Sequence, residues 1–454
     1  MIEFLTSLTL DVENMIWTYF GLPIVLLLGV VLSVQSRFAQ VRHLPSAIKT
    51  FLSMFRSNEQ SAHGIHPLKA FFAGIGGSVG VGNVVGVCTA VQIGGPGALL
   101  WIWLTAVAGA IVKYSEVYLG MQYRVPNEKT GGYNGGPMYF LQKAFKQQWI
   151  LNLVAALLCL YGVEIFQFSV ITKSVSTNFD LNHYAVVGAA LLLILLAASG
   201  GVKRVGSISG ALIPVFVFCY VGMGLWVLIS HIGEVPGIFY TVFSSAFNGH
   251  AAVGGFIGST ILTTASQGIR RGCYTADIGI GYAAVIHSET NVTIPEKQAS
   301  LVIFEIFIDT FFVCTTSVLL ILTTGVWQES LDGAMLVQEA LGQHFPYMEY
   351  FIPLFLFLVG YATINAYFCV GLKCAQYLMP KLGLAYYYTY AVIILIACAF
   401  IDTRIAQSIM ASAGGLLLVV NGIGIFMLRR EISFDLSEKD DKLPAEMALA
   451  MDVT

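Results

Sequence analysis

Apolar runs of about 20 residues, the length that crosses the hydrocarbon core of a bilayer, recur along this chain. Eleven can be read, at roughly 15–36, 69–93, 97–122, 149–172, 183–200, 207–230, 252–288 (long and interrupted), 299–324, 349–373, 384–401 and 405–428. Backbone in lipid must pair its own polar groups, so runs of this length read as helices. Composition identifies lipid as the solvent: 57% of the 454 residues are hydrophobic and 11% are charged, against about 25% charged in soluble domains. The fold class is an all-α polytopic membrane protein of about eleven transmembrane helices.

Basic residues orient it. With the N-terminus outside, 20 of the 23 Lys and Arg residues fall on the cytoplasmic side, Arg270 and Arg271 counted among them. Lys173 and Arg404 remain outside, and Lys113 lies within a span. Inverting the chain or omitting one span destroys this asymmetry, so the C-terminus is expected inside a bacterial or archaeal-type cytoplasmic (inner) membrane. Residues 233–251 are too short to span and read as an extracellular interfacial helix. Residues 429–454 read as a polar cytoplasmic tail. The acidic N-terminus lacks a basic n-region, so no cleaved signal peptide is expected.

Two spans carry glycine interruptions, and these resemble each other. Asn83 to Val91 (NVVGVCTAV) can be laid over Asp277 to Val285 (DIGIGYAAV), with Glu116 and Asp309 at similar distances in the spans that follow. Span two begins inside and span seven outside, so the segments run oppositely. This predicts an inverted repeat, residues 69–232 against 252–428, with residues 1–68 holding an extra first helix and a cytoplasmic loop. Unwound backbone at membrane depth survives only where protein, ions or substrate satisfy it. Half-helix N-termini suit a carboxylate and freed carbonyls suit a cation, the pattern of a transporter's midplane site. The competing reading is close packing through small residues, since Gly76–Gly80 and Gly82–Gly86 have four-residue spacing.

The stretches VGVGNVVGVCTAVQIGGPGALLWIW, KYSEVYLGMQYR and GGYNGGPMYFL resemble the alanine/glycine:cation symporters, also called sodium:alanine symporters. AAVGGFIGS, IRRG, EIFIDTFFVCT and ATIN extend the likeness across residues 17–428. The resemblance implies a leucine-transporter-like inverted 5+5 repeat and import of a small neutral amino acid (alanine or glycine, L or D) with Na+, in some members H+. It implies that the backbone amides of Gly80, Gly82 and Asn83 hold the substrate carboxylate, and that Gln167 and Thr363 line the pocket. Tyr367 stands where the family usually has tryptophan, with Ala366 before it in place of glycine. The second break, read as 273–279, begins at Cys273, and Asp277 replaces the usual glutamate while Ala276 replaces asparagine. Val81 stands where a threonine is usual. Glu164 joins the substrate-site candidates, and the ion candidates are Ser78, Val79, Thr363, Asn365 and Asp277.

Glu164 sits in a span where the family is usually uncharged. It reads as an ion or proton ligand, as a partner for a substrate amino group, or as a structural hydrogen-bonding group. Lys113 and Glu116, three apart, can pair on one helix face, and with Glu305 and Asp309 they read as a structural network near the cytoplasmic side, with a gating role as the alternative. Arg270 and Arg271 read as flanks of the second break, and residues 385–390 (AYYYTY) as an interfacial aromatic belt. The eight scattered cysteines have neither CxxC nor zinc spacing and read as small apolar packing residues. No HExxH, GxSxG or Walker A pattern occurs, which disfavours a membrane enzyme or an ATP-driven pump. A non-transporting sensor on the same scaffold is the remaining alternative. No cofactor is expected beyond the coupling ion, Na+ or H+, and no nucleic-acid partner. The sequence gives no oligomeric state.

Overall fold

The computed structural model describes residues 2–55, 63–128, 131–248 and 261–436. Among them seven helices are long and apolar enough to cross a membrane: Ser7–Gln35, Ala98–Gln122, Gln148–Asn178, Gly201–Ser230, Pro295–Thr323, Met348–Leu378 and Thr403–Leu428. The pair Pro67–Ser78 and Gly82–Gly94, bent by 41° at a short break, forms an eighth apolar unit. His183–Ala198 and Gly383–Cys398 are shorter apolar helices in two further predicted spans. Ile261–Thr275 and Tyr282–His287 occupy the interrupted seventh. The expected start of that span, 252–260, and the tail from 437 onward lie outside the described residues.

Packing places both interrupted helices at the centre. Pro67–Ser78 lies along Gly201–Ser230 and Met348–Leu378, while Ala98–Gln122 packs against Ile261–Thr275, Tyr282–His287 and Pro295–Ile306. Glycine sets the closeness of the first contact: a Cβ at Gly76 would lie 2.3 Å from Ser209 Oγ, nearer than packed side chains approach. Val235–Asn248 forms a helix against Ala98–Gln122 and Ile261–Thr275. A two-stranded antiparallel sheet, Val125–Asn127 with Gly132–Asn134, follows Ala98–Gln122, with Pro126 opposite Tyr133.

Two sequence expectations change here. Arg270 and Arg271 are not loop residues but sit buried in Ile261–Thr275, where Arg270 meets Glu13 at 2.6 Å and Asn14 at 2.8 Å. They therefore leave the cytoplasmic loop count. The belt at 385–390 is only partly a surface feature. Tyr386 is exposed, whereas Tyr387 is buried and packs against Gly162 and Gly371.

Candidate functional site

The first break is two residues long. Helix Pro67–Ser78 ends with Val79 in extended backbone (ψ 94°), and a π-helical turn resumes at Gly82–Gly86. Gly82 and Asn83 are therefore helical, and Val81 already has helical dihedrals (φ −59°, ψ −30°). The unwound residues are thus Val79 and Gly80, and the donors at the break are those of Gly80 and Val81. Their amides are answered by side chains: Gly80 N donates to Asn83 Oδ1 at 2.9 Å and Val81 N to Gln167 Oε1 at 3.1 Å. Asn83 N points back to Gly80 O at 3.3 Å, so Gly80 and Val81 are the amides whose acceptors are side-chain oxygens.

On the other side of this break Thr363 Oγ1 lies 2.8 Å from Gly76 O, 3.4 Å from Val79 O and 3.1 Å from Val359 O. One hydroxyl proton cannot serve three carbonyls, so the spot is rich in oxygen acceptors. Asn365 does not join it; its amide donates to Tyr361 O of its own helix at 2.8 Å. Ser78 turns away from it too, with its Oγ accepting from Lys113 Nζ at 3.1 Å.

The second break spans 276–281. Cys273 lies in the last turn of the intact helix Ile261–Thr275, fully buried, so unwinding starts three residues later than the sequence reading places it. Asp277 (φ 53°), Gly279 (φ 71°) and Gly281 (φ 106°) take left-handed backbone, for which Asp and Gly are suited. Asp277 accepts from Tyr367 OH at 2.9 Å and from Ala283 N at 3.0 Å. Asn421 donates to Gly279 O at 3.0 Å.

A third interruption separates Gln148–Tyr161 from Ile165–Asn178, with Glu164 at φ 47° as the residue entering the second helix. Its carboxylate accepts from Tyr274 OH at 3.0 Å, and Gln167, one turn on, lies within hydrogen-bonding reach of it. The structure thus joins Gly80, Val81, Asn83, Gln167, Glu164 and Thr363 around the first break, while Tyr367 and Asp277 meet at the second. Tyr274 and Tyr161 belong to this neighbourhood and carry no periodic signal in the sequence.

The expected pairing of Lys113 with Glu116 is not what forms. Lys113 Nζ lies 3.4 Å from Glu305, and His287 Nε2 lies 3.0 Å from the other Glu305 oxygen. Glu116 faces the backbone amides of Gly281 and Ala284 instead. Asp309 leaves Glu305 and bonds Asn83 Nδ2 of the first break and Thr310. The cause is the π-helical stretch Phe307–Cys314, whose wider turn rotates Asp309 off the face that carries Glu305.

Outside this centre, a cavity of ≈ 270 Å³ has Lys173, Asp332 and Arg404 among its lining residues, together with Phe166 and Gln407. With the Gln407 amide oxygen turned toward Arg271, it accepts from both guanidinium NH2 groups at 2.7 and 3.0 Å.

The pattern of the sodium:alanine symporter family matches residues 2–448. The sodium/alanine symporter AgcS of Methanococcus maripaludis is 29% identical over 434 residues, 93% of this chain and 94% of AgcS. An uncharacterized transporter of Bacillus subtilis, YflA, is 30% identical over 432 residues, 93% of this chain and 90% of its own length. Among solved structures, MhsT in complex with L-phenylalanine superposes with a TM-score of 0.58 at 15% identity, covering 80% of this chain and 88% of MhsT. That likeness gives the fold, a leucine-transporter-like one.

Proposed function

This chain belongs to the sodium:alanine symporter family, and from that premise we propose that it imports a small neutral amino acid, alanine or glycine, coupled to Na+ by alternating access. The fold is read as eleven spans with an inverted 5+5 repeat, N-terminus outside. The observation that carries the proposal is the first break. Two adjacent backbone amides, Gly80 and Val81, are held by the movable side chains of Asn83 and Gln167. A substrate carboxylate can replace those side-chain oxygens without leaving a buried donor unpaired. The carbonyls of Gly76 and Val79 beside the Thr363 hydroxyl offer the oxygen-only surroundings that a hard cation takes. Loss of a hydroxyl at Val81 leaves this spot to Thr363 and the backbone.

Charge balance supports a coupling cation. Lys113 and His287 both meet Glu305. Lys113 also acts at longer range on Asp277 and Asp309, whereas Glu164 is held by neutral partners alone. Uncompensated charge in a dry interior is strongly unfavourable, so the excess of buried carboxylates over the one lysine among them favours uptake of a cation or a proton. That same observation favours, as the second reading, an H+-coupled carrier of the same fold.

Uptake of labelled alanine and glycine into proteoliposomes, with Na+ and pH gradients imposed separately, tests both. Accumulation driven by the Na+ gradient is expected. Accumulation by a pH gradient in Na+-free buffer replaces Na+ with H+, and accumulation under neither gradient removes the transport reading.

A further inference from the structure

Glu164 and Asp277 share an unusual setting. Both are buried, 1% and 0% exposed, and both have left-handed backbone. Each carboxylate is held by a tyrosine hydroxyl from another helix, Tyr274 at 3.0 Å and Tyr367 at 2.9 Å. Among the described residues no Lys, Arg or His forms an ion pair with either; Lys113 and His287 meet Glu305 and Arg270 meets Glu13, and Lys113 acts on Asp277 only from a distance.

Tyr161 stands between them. Its ring lies 6.3 Å from that of Tyr274 and 5.4 Å from that of Tyr367, and Tyr282 stacks on Tyr367 at 4.1 Å. The Tyr161 side chain is fully buried, its hydroxyl has no hydrogen-bond partner, and Glu164 and Asp277 are the carboxylates facing it. Arg271 also faces this group, with its guanidinium carbon 5.8 Å from the Tyr274 ring centre and its NH2 groups held by Gln407.

Four tyrosines, two carboxylates and an orphaned hydroxyl make a receptor for an organic cation. Aromatic faces attract ammonium groups and carboxylates bond them strongly. A hard inorganic cation prefers oxygens alone, which the Thr363 spot supplies separately. The cluster is one side chain away from the first break: Gln167 bonds Val81 N and reaches Glu164 and Tyr274 as well.

We propose that this tyrosine–carboxylate cluster receives a second, side-chain ammonium, so that the site accepts short diamino acids in preference to their neutral isosteres. The inference rests on the amino-acid site proposed above, with the α-carboxylate at Gly80 and Val81. It widens the substrate class beyond small neutral amino acids.

Calorimetric binding to the purified full chain tests it without requiring transport. 2,4-Diaminobutyrate is compared with norvaline, which has the same skeleton and a methyl in place of the second ammonium. Diaminobutyrate is expected to bind about tenfold more tightly or better. In Glu164→Gln the ratio should fall toward one, and Tyr161→Phe, which removes only the hydroxyl, should narrow it. Equal affinities in the unmodified protein, or tighter norvaline binding, overturn the proposal. So does a preference that survives in both variants. Should Glu164→Gln fail to fold, the unmodified protein and Tyr161→Phe still decide. Failure of alanine to accumulate in proteoliposomes counts against the transport reading alone, because the binding ratio is measured independently.

Discussion

The two broken helices solve the same problem in opposite ways. At the first, the amides of Gly80 and Val81 are met by side chains: Gln167 from another span and Asn83 from the resumed turn. At the second, six residues fold around Asp277, which bonds Ala283 N of the resumed helix and Tyr367 OH, while Asn421 from another span covers Gly279 O. A break answered by movable side-chain amides can hand its donors to a ligand. One closed by its own carboxylate and fixed by left-handed residues is a built corner. On the proposed function the substrate carboxylate belongs at the first break, whereas the second offers a carboxylate rather than open backbone.

Substitutions can break this contrast. The largest effect is expected from Lys113→Met. It removes the ammonium that ties Ser78, at the end of the first half-helix, to Glu305. Glu305 keeps His287, but removing one partner of a buried ion pair is destabilising by about 3–5 kcal/mol, read as a lowered Tm of the purified protein. Gly80→Ala comes next. Its Cβ would lie 2.5 Å from Thr363 Oγ1 and 2.6 Å from Gln167 Oε1. Overpacking of about 1–3 kcal/mol, up to roughly 100-fold in affinity, is expected in alanine binding.

Asn421→Ala probes the second break and should divide the two regions. It leaves the buried Gly279 carbonyl without its side-chain donor, about 1–3 kcal/mol of stability, while KM for alanine changes little. A large KM effect there would shift the substrate site toward the second break. Thr363→Val keeps the shape and removes the hydroxyl. The Na+ concentration for half-maximal uptake should rise about tenfold. An unchanged Na+ dependence would place the ion elsewhere. Lys173→Ala, at the mouth of the outer cavity, is expected to be nearly silent. Its partner Asp332 lies 3.0 Å away but both side chains are more than half exposed, and such pairs contribute about 0–1 kcal/mol.

Much of the architecture was legible because lipid imposes length and apolarity on each span, and glycine marks where Pro67–Ser78 ends. What escaped is long-range or conformational. Glu164 breaks its span by taking left-handed backbone, a state that nothing in YGVEIFQ announces beyond Gly162. The π-helical stretch after Ile306 moved Asp309 to Asn83, against the α-helical spacing that groups it with Glu305. Arg270 looked like a loop charge because its partner, Glu13, lies 257 residues earlier. The orphaned Tyr161 hydroxyl has no counterpart in any local pattern.

Amide hydrogen exchange on the purified full chain, with alanine and Na+ present together or withheld, tests the assignment most directly. Residues 79–83 should exchange about tenfold more slowly when both are bound, as expected for donors engaged by a bound carboxylate. Residues 276–281 should be unaffected. Protection that appears at 276–281 while 79–83 stays unchanged would contradict the account and move the substrate carboxylate to the second break.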